Sequence, residues 1–369
     1  MAKTFTSLAE LGWTDFLESN YHQYLEKYPA AQQFPARVIA EERGLFCVAS
    51  DRGEFLGVVA GRLRYLADER LDLPAIGDWV LCSIEPGTDR AVIHSIFPRQ
   101  TSITRKEAGR GFEDQILAAN VDTALIVTSA NAEFSPARLQ RYVTAVREGG
   151  VAAEIILSKI DLLSDHERLV YEIRQAIPSI VIHSISVHSG AGVPQLYDRL
   201  LPGTTCVFLG SSGVGKSTLV NRLLDAEVLA TQPISDFAAK GRHTTSSRHM
   251  FAIPSGALVI DTPGLREFRL GGYEDGLNST YDDILGLARH CKFGDCSHHG
   301  EPGCAVEKAR YDGSLSEDRW NWYVKLQKEV GYQKRRESGE QARNSKARWK
   351  KMHKQAKHIL KRKRWESQD

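Results

Sequence analysis

The rhythm of apolar and polar positions changes three times along this chain, and each change predicts a different kind of structure. In residues 1–35, Phe16, Leu17, Tyr21, Tyr24 and Leu25 recur at intervals that share one helical face. Thr14 is the cap of that helix, and Pro29 and Pro35 interrupt the chain beyond it. From Ala36 to Pro98 the rhythm shortens. ARVIAEE, LFCVAS, EFLGVVAG and DWVLCSI are rich in β-branched and aromatic residues and are separated by turn-forming residues. Four or five strands in about 60 residues predict a small closed or nearly closed barrel. An oligonucleotide-binding-type barrel is one candidate and an SH3-like barrel another. Residues 99–115, RQTSITRKEAGRGFEDQ, are polar and contain glycine, so they read as a linker.

Strands and helices alternate from Thr123 onward. TALIVTS reads as a buried strand. Ser135 caps the next helix, with Pro136 in its first turn, Leu139, Tyr142, Val143 and Val146 facing inward, and Gly149-Gly150 as its stop. AAEIIL is the next strand, and Ser164 with Glu167 forms a capping box for a helix that ends before Pro178. IVIHSI, a helix around Gln195–Leu201 and the strand TCVFL follow, and HMFAIP with ALVIDTPG reads as a pair of strands around Pro254-Ser255-Gly256. Repeated β-α units of this spacing imply a parallel sheet covered by helices on both faces.

The most informative chemistry lies where TCVFL ends. Gly210, Ser211, Ser212, Gly213, Val214, Gly215, Lys216 and Ser217 fill the spacing G-x-x-x-x-G-K-[ST], between a strand and an amphipathic helix that begins with Ser217 and Thr218. Glycines let backbone N–H groups surround phosphate oxygens at a helix N-terminus. Lys216 neutralises the terminal phosphates and Ser217 ligates Mg²⁺, which makes this a nucleoside-triphosphate site.

Three further stretches choose the base and complete the magnesium site. Ser158, Lys159, Ile160 and Asp161 follow a buried strand, where ligand-binding loops of such sheets lie. A carboxylate at Asp161 accepts from the ring N1–H and exocyclic amine of guanine, a donor pair that adenine lacks. The stem of Lys159 covers one face of the base, and Ser186-Val187-His188 offers a backbone N–H to the guanine carbonyl. Asp261 ends a strand as a magnesium-sphere carboxylate, and Gly264 presents its N–H to the γ-phosphate. Thr244 and Thr245, in GRHTTSS, both qualify to complete the magnesium shell. Leu265 stands where Ras-like enzymes carry a water-orienting glutamine, so His243 is the candidate for that task. The base loops precede the phosphate loop, the reverse of Ras-like order, so the arrangement is a circular permutation.

Cys291, Cys296, His298 and Cys304 form C-x4-C-x-H-x5-C, the donor set of a closed structural zinc site, with His299 as a rival to His298. No secretory leader or membrane span is expected, and six cysteines in 369 residues do not suggest disulfides, so a cytoplasmic protein is the expectation. The net charge of +2 conceals an asymmetry. Residues 325–369 hold 16 Lys/Arg against 5 Asp/Glu, whereas the other residues hold 32 against 41. That tail, with Trp349 and Trp365 interleaved, points to a phosphate-backbone partner.

The permuted loop order, GSSGVGKST, GRHTT, DTPG and C-x4-C-x-H-x5-C, together with the barrel, resemble the ribosome small subunit-dependent GTPase A family of bacteria over about residues 36–330. Ser158 departs from the family's usual Asn or Thr, and the basic tail is not carried over from it. The resemblance implies a multidomain α/β protein: an N-terminal OB-type β-barrel (36–98), a circularly permuted P-loop GTPase domain (116–272) and a C-terminal helical zinc-binding domain (273–330). An extension (1–35), the linker (99–115) and the tail (331–369) complete the expected organisation. It places nucleotide contacts on Ser158–Asp161 and Gly210–Thr218, and zinc ligands on Cys291, Cys296, His298 and Cys304. It implies GTP hydrolysis to GDP stimulated by the 30S subunit during its late maturation, with 16S rRNA as a partner. A monomer with Mg²⁺, one Zn²⁺ and no membrane contact is expected. A zinc-stabilised rRNA-binding protein with a regulatory nucleotide switch, and an ATP-dependent remodelling enzyme, are the alternatives.

Overall fold

The computed structural model describes residues 5–27, 33–42, 44–106, 114–131, 134–211, 213–225, 248–261, 274–332 and 335. The β-branched segments after Gln33 form strands β1 (Phe34–Glu42), β2 (Leu45–Ser50), β3 (Gly53–Val59), β4 (Trp79–Ile84) and β5 (Arg90–Ile96), with helix α2 (Gly61–Leu66) after β3. Pairing runs β1-β2-β3-β5-β4 and closes through β4 back to β1. β3 and β5 are parallel; the other pairs in the ring are antiparallel. This closed five-stranded ring is the oligonucleotide-binding topology. Phe34, Ala36, Val38, Phe46, Val48, Val80, Cys82, Ala91 and Ile93 fill its interior.

The N-terminal segment seals one side of the barrel. Helix α1 (Asp15–Lys27) buries Leu17 and sets Tyr24 against Phe97, while Trp13 meets Trp79 edge-on at 4.7 Å. Phe16, expected on the inner face, is 41% exposed, because the buried stripe runs through Leu17, Tyr21 and Tyr24 instead.

Residues read as a linker carry regular structure. β6 (Ser102–Lys106) and β7 (Asp114–Ala119) pair antiparallel, with Ile103, Ile116 and Leu117 buried. Apolar residues at these few positions suffice to pin the pair despite its polar composition. Beyond it, β8 (Thr123–Ser129), α3 (Pro136–Glu148), β9 (Ala152–Ser158), α4 (Glu167–Ala176), β10 (Val181–Ile185), α5 (Val193–Arg199), β11 (Thr205–Leu209), α6 (Lys216–Leu224), β12 (Arg248–Ala252) and β13 (Leu258–Asp261) follow the predicted alternation. The Ser135 side chain accepts from Arg138 N at the start of α3, as its position predicts. Ser164 does not cap α4. The helix starts two residues later, behind His166, and Asp165 Oδ1 takes the Arg168 N–H instead.

The sheet order β10-β9-β8-β11-β13-β12 is parallel except for β12. β12 also pairs with β1 (Ala40 opposite His249, Glu41 opposite Arg248), so the barrel and the parallel sheet form one continuous hydrogen-bonded surface. Arg248 Nη1 lies 3.1 Å from Glu41 Oε2 across that seam.

Among the described residues from 274 to 332, the regular elements are helices: α7 (Glu274–Thr280), α8 (Asp282–Ala288), α9 (Ala305–Tyr311) and α10 (317–332). Leu277, Tyr281, Ile284, Val306, Leu315, Trp320, Tyr323 and Leu326 form its core, together with Ala145 of α3. No helix among the described residues is long and apolar enough to cross a membrane.

One buried guanidinium joins three parts of the molecule. Arg37 in β1 is 1% exposed and donates to the carbonyls of Leu11, Gly77 and Asn120, with its charge over Trp79. Burial pushes its pKa down to about 10, so it stays protonated at neutral pH. Gly77 O keeps a donor in Asn120 Nδ2, but Arg37→Met leaves the Leu11 and Asn120 carbonyls without theirs, and each orphaned group costs about 1–3 kcal/mol. Urea denaturation is expected to show a loss of about 3 kcal/mol or more; an unchanged midpoint contradicts this role.

Candidate functional site

Four parallel strands bring the predicted loops to one edge. Ser129 of β8 and Ile185 of β10 both align with Ser158 of β9, Leu209 of β11 aligns with Ile126 of β8, and Val207 aligns with Ile260 of β13. The segments starting at Lys159, Ser186 and Gly210 therefore leave the sheet on the same side as Asp261. The base, phosphate and magnesium candidates share that edge although their chain order is permuted.

The phosphate loop is shaped by backbone that only glycine tolerates. Gly210 has φ +143°, and a Cβ on it would lie 2.2 Å from Val127 O. After Gly213, Val214 and Gly215, α6 begins at Lys216, anchored by buried Leu219, Val220 and Leu223. Lys216 Nζ donates to Gly210 O at 2.7 Å and to Ser211 O at 2.6 Å, lying across the loop's mouth. Ser217 and Thr218 are exposed in the first turn of α6. Asp261, half-buried at the end of β13, has its carboxyl pushed up by burial and partly offset by the Lys216 charge. Lys216, Ser217 and Asp261 thus combine a cation, a hydroxyl and a carboxylate, a donor set that fits phosphate with Mg²⁺. Ser212, His243, Thr244, Thr245, Gly264 and Leu265 lie outside the described residues.

Ser158 does something its position alone did not disclose. It is 4% exposed, and its Oγ lies 2.6 Å from Val214 O and 3.0 Å from Thr128 O. Its single proton is directed between these carbonyls, so the short side chain staples the base loop to the phosphate loop. Lys159 adds a second tie: in a left-handed conformation (φ +59°) it donates from Nζ to Gly213 O at 2.7 Å. The Ile160 side chain packs towards Ala130, Leu157 and Val170. Asp161 is exposed, and the Ser186 hydroxyl, the largest influence, holds its carboxyl below the usual aspartate range. Ser186 is itself fully buried, and its Oγ accepts from Ser189 N. Val187 packs partly into the core beneath β10. An ionised, outward-facing carboxylate with a fixed neighbour suits a ligand that presents paired N–H donors.

Sequence reasoning missed two residues that reach the loop from α3. Arg138 Nη1 donates to Ser211 Oγ at 3.0 Å, and the Tyr142 hydroxyl bonds the same side chain. Tyr142 was legible as an inward-facing position, but nothing in the local pattern pairs α3 with a loop some 70 residues away.

A second candidate site lies in the C-terminal helices. One ligand atom from each of Cys291, Cys296, His298 and Cys304 falls within 4.8 Å of the others. Cys291 Sγ and Cys304 Sγ are 3.9 Å apart, and His298 Nδ1 is 3.5 and 3.4 Å from them. A tetrahedral ion with bonds of ~2.3 Å to sulfur requires sulfur spacings of ~3.8 Å, so the set fits one metal ion. His298, at φ +62°, turns its ring into the cluster, whereas His299 Nδ1 meets Ser297 O outside it. Cys304 Sγ also accepts from Glu307 N at the start of α9. Glu301, whose carboxyl is held at about 2 by the Ser297 hydroxyl and backbone N–H groups, fixes the intervening turn.

Residues 96–271 match the family model described as RsgA GTPase. The small ribosomal subunit biogenesis GTPase RsgA of Opitutus terrae is 40% identical over 94% of this chain and 96% of its own length. Its counterpart in Syntrophotalea carbinolica is 40% identical over 88% of this chain and 90% of its own. Among solved structures, YjeQ from Thermotoga maritima superposes with TM-score 0.60 at 22% identity, covering 80% of this chain and 97% of that one. YloQ, titled a circularly permuted GTPase, gives TM-score 0.59 at 24% identity, covering 82% and 97%.

The Asp161–Ser186 contact makes a prediction independent of any ligand. A depressed pKa keeps the carboxylate ionised until pH falls through the lowered value. Carboxyl NMR should therefore show Asp161 titrating below the ordinary value of ~3.9. Ser186→Ala should move it upward, and an unmoved titration contradicts the contact.

Proposed function

The chain belongs to the RsgA GTPase family, and from that premise we propose that it hydrolyses GTP to GDP and phosphate in the biogenesis of the small ribosomal subunit. The observation that carries this reading is the convergence of three loop segments and Asp261 on one sheet edge, with an ionised Asp161 among them. Asp161 accepts from guanine N1–H and the exocyclic amine, the Lys159 stem covers the base, and a backbone N–H near Ser186–Val187 meets the guanine carbonyl. Ile160 contributes through its backbone. The N–H groups of 210–218 surround the phosphates, Lys216 leaves its carbonyl partners for the terminal phosphates, and Gly264 meets the γ-phosphate. Ser217, Asp261 and one of Thr244 and Thr245 hold Mg²⁺, which supplies charge neutralisation between the phosphates when bound.

Leu265 cannot orient water. In this reading His243 does so once the 30S subunit arranges residues 241–247. The barrel, the Cys/His module and the basic tail grip 16S rRNA, and loss of the γ-phosphate relaxes that grip. The protein works as a cytoplasmic monomer. Its Cys/His module holds one structural Zn²⁺, all four positions filled by protein, which stabilises helices with a small core of their own.

Steady-state hydrolysis is expected to rise at least ~10-fold with 30S subunits. Equal rates with and without them would sink the activation model. Lys216→Ala should abolish turnover, and His243→Ala should lower the stimulated kcat while leaving KM within ~2-fold. Asp161→Asn should shift preference from guanine to xanthine nucleotides; an unchanged GTP preference rejects the base assignment. For the metal, His298→Ala should weaken Zn²⁺ binding by on the order of 100-fold. His299→Ala should leave it intact, and the reverse ranking would reassign the ligand.

A further inference from the structure

Helix α3 touches the phosphate loop at one end and the C-terminal helices at the other. At the loop end, Arg138 and Tyr142 both hold the Ser211 side chain, while the Ser211 carbonyl accepts from Lys216 Nζ. Ser211 is therefore fixed on two sides, and one of its partners is the phosphate-binding lysine. Tyr142 is 5% exposed and embedded in the main core, so its ring has no alternative position without repacking.

At the far end, α3 is locked to the module. Glu148 Oε2 accepts from Gly276 N at 2.7 Å, Arg147 Nη1 donates to Ser279 O at 2.9 Å, and Thr144 Oγ1 lies 3.3 Å from Thr280 Oγ1. Closer to the loop end, Arg141, beside Tyr142, pairs with Glu329 of α10 at 2.8 Å. A Cβ on Gly276 would lie 2.0 Å from Thr144 O, so the backbones of α7 and α3 are in direct contact. Ala145 belongs to the module's own core. Arg138 and Glu148 are ten residues apart on one continuous helix, about 15 Å. Such a short, fully hydrogen-bonded rod moves as a unit, so tilting one end displaces the other.

We propose that α3 is a strut: Arg138 and Tyr142 are positioning residues of the phosphate loop, and their hold on Ser211 is set by the seating of the α7–α10 module. The proposal rests on assigning residues 210–217 to nucleotide phosphate, and it adds a route that bypasses the loops around residues 241–247 and 261–265. Ordering Ser211 before ligand arrives lowers the cost of arranging the loop upon binding. By linkage, nucleotide must in turn change the module's seating, so whatever grips the module reads the nucleotide state through α3.

The test is a double-mutant cycle on the full chain, reading Kd for a non-hydrolysable GTP analogue with Mg²⁺ by calorimetry, and Tm for folding. Arg138 is exposed, so Arg138→Ala is expected to weaken binding about 3- to 10-fold, the range for an ordinary net hydrogen bond. Arg138→Lys should recover part of the loss. Gly276→Ala, which forces α7 off α3, should weaken binding similarly in the wild-type background and have no further effect alongside Arg138→Ala. Effects that multiply, or a Gly276→Ala protein with lower Tm and unaltered Kd, would overturn the strut. If Gly276→Ala does not fold, Glu329→Gln carries the same cycle: a ~2-fold loss confined to the Arg138 background supports it, and equal losses in both backgrounds overturn it. Lys216→Ala separates the two readings. Undiminished binding there refutes the phosphate-loop assignment, whereas lost binding there with additive effects at Arg138 refutes only the strut.

Discussion

Register between parallel strands is the constraint on which this molecule's chemistry depends. Because β9, β10, β11 and β13 run in one direction, the segments that follow β9, β10 and β11 leave the sheet on the same edge as Asp261. Chain order is then free to change while the site stays whole. Here the base loop comes first and the phosphate loop later, yet Ser158 Oγ lies 2.6 Å from Val214 O and Lys159 Nζ 2.7 Å from Gly213 O. Two side chains at the end of β9 convert strand alignment into a single site. A shorter residue at Ser158 suits the contact because both carbonyls already sit within hydroxyl reach.

The permuted order also changes what the site is connected to. β12 continues the parallel sheet into β1 of the barrel, and Arg37 ties the barrel to the N-terminal segment and to Asn120 ahead of β8. On the other side, the buried Arg319 joins Asp283, Thr280 O and Ala176 O, binding α10 to α8 and to the end of α4. That sheet edge lies between two attachments, each built around an arginine that donates to carbonyls from separate parts of the chain. A guanidinium suits this task because its planar fork satisfies several acceptors at once.

What was legible in the sequence was local. The phosphate loop, the Ser158–Asp161 stretch, the Cys/His spacing and the Ser135 cap each carry their chemistry within a few residues, and their geometry follows from it. Where the reading fell short, the deciding contact was distant. Polar residues 99–115 gave no sign that Ile103 and Ile116 would anchor a strand pair. Ser164 offered a plausible cap, but the helix began behind His166, where Asp165 Oδ1 takes the Arg168 N–H. The choice between His298 and His299 needed the fold, which sets His298 Nδ1 at 3.4–3.5 Å from two cysteine sulfurs and His299 Nδ1 against Ser297 O. The seam between β1 and β12, and the grip of α3 on Ser211, join positions about 70 to 210 residues apart, beyond any periodicity.

On the proposed function, nucleotide state at this edge governs attachment to the small ribosomal subunit. Co-sedimentation of the full chain with purified 30S and 50S subunits, in the presence of GDP or a non-hydrolysable GTP analogue, tests it most directly. Association is expected with 30S alone, stronger by about tenfold or more with the GTP analogue, the size of an ordinary allosteric coupling. Equal association in the two nucleotide states, or equal association with both subunits, would contradict it.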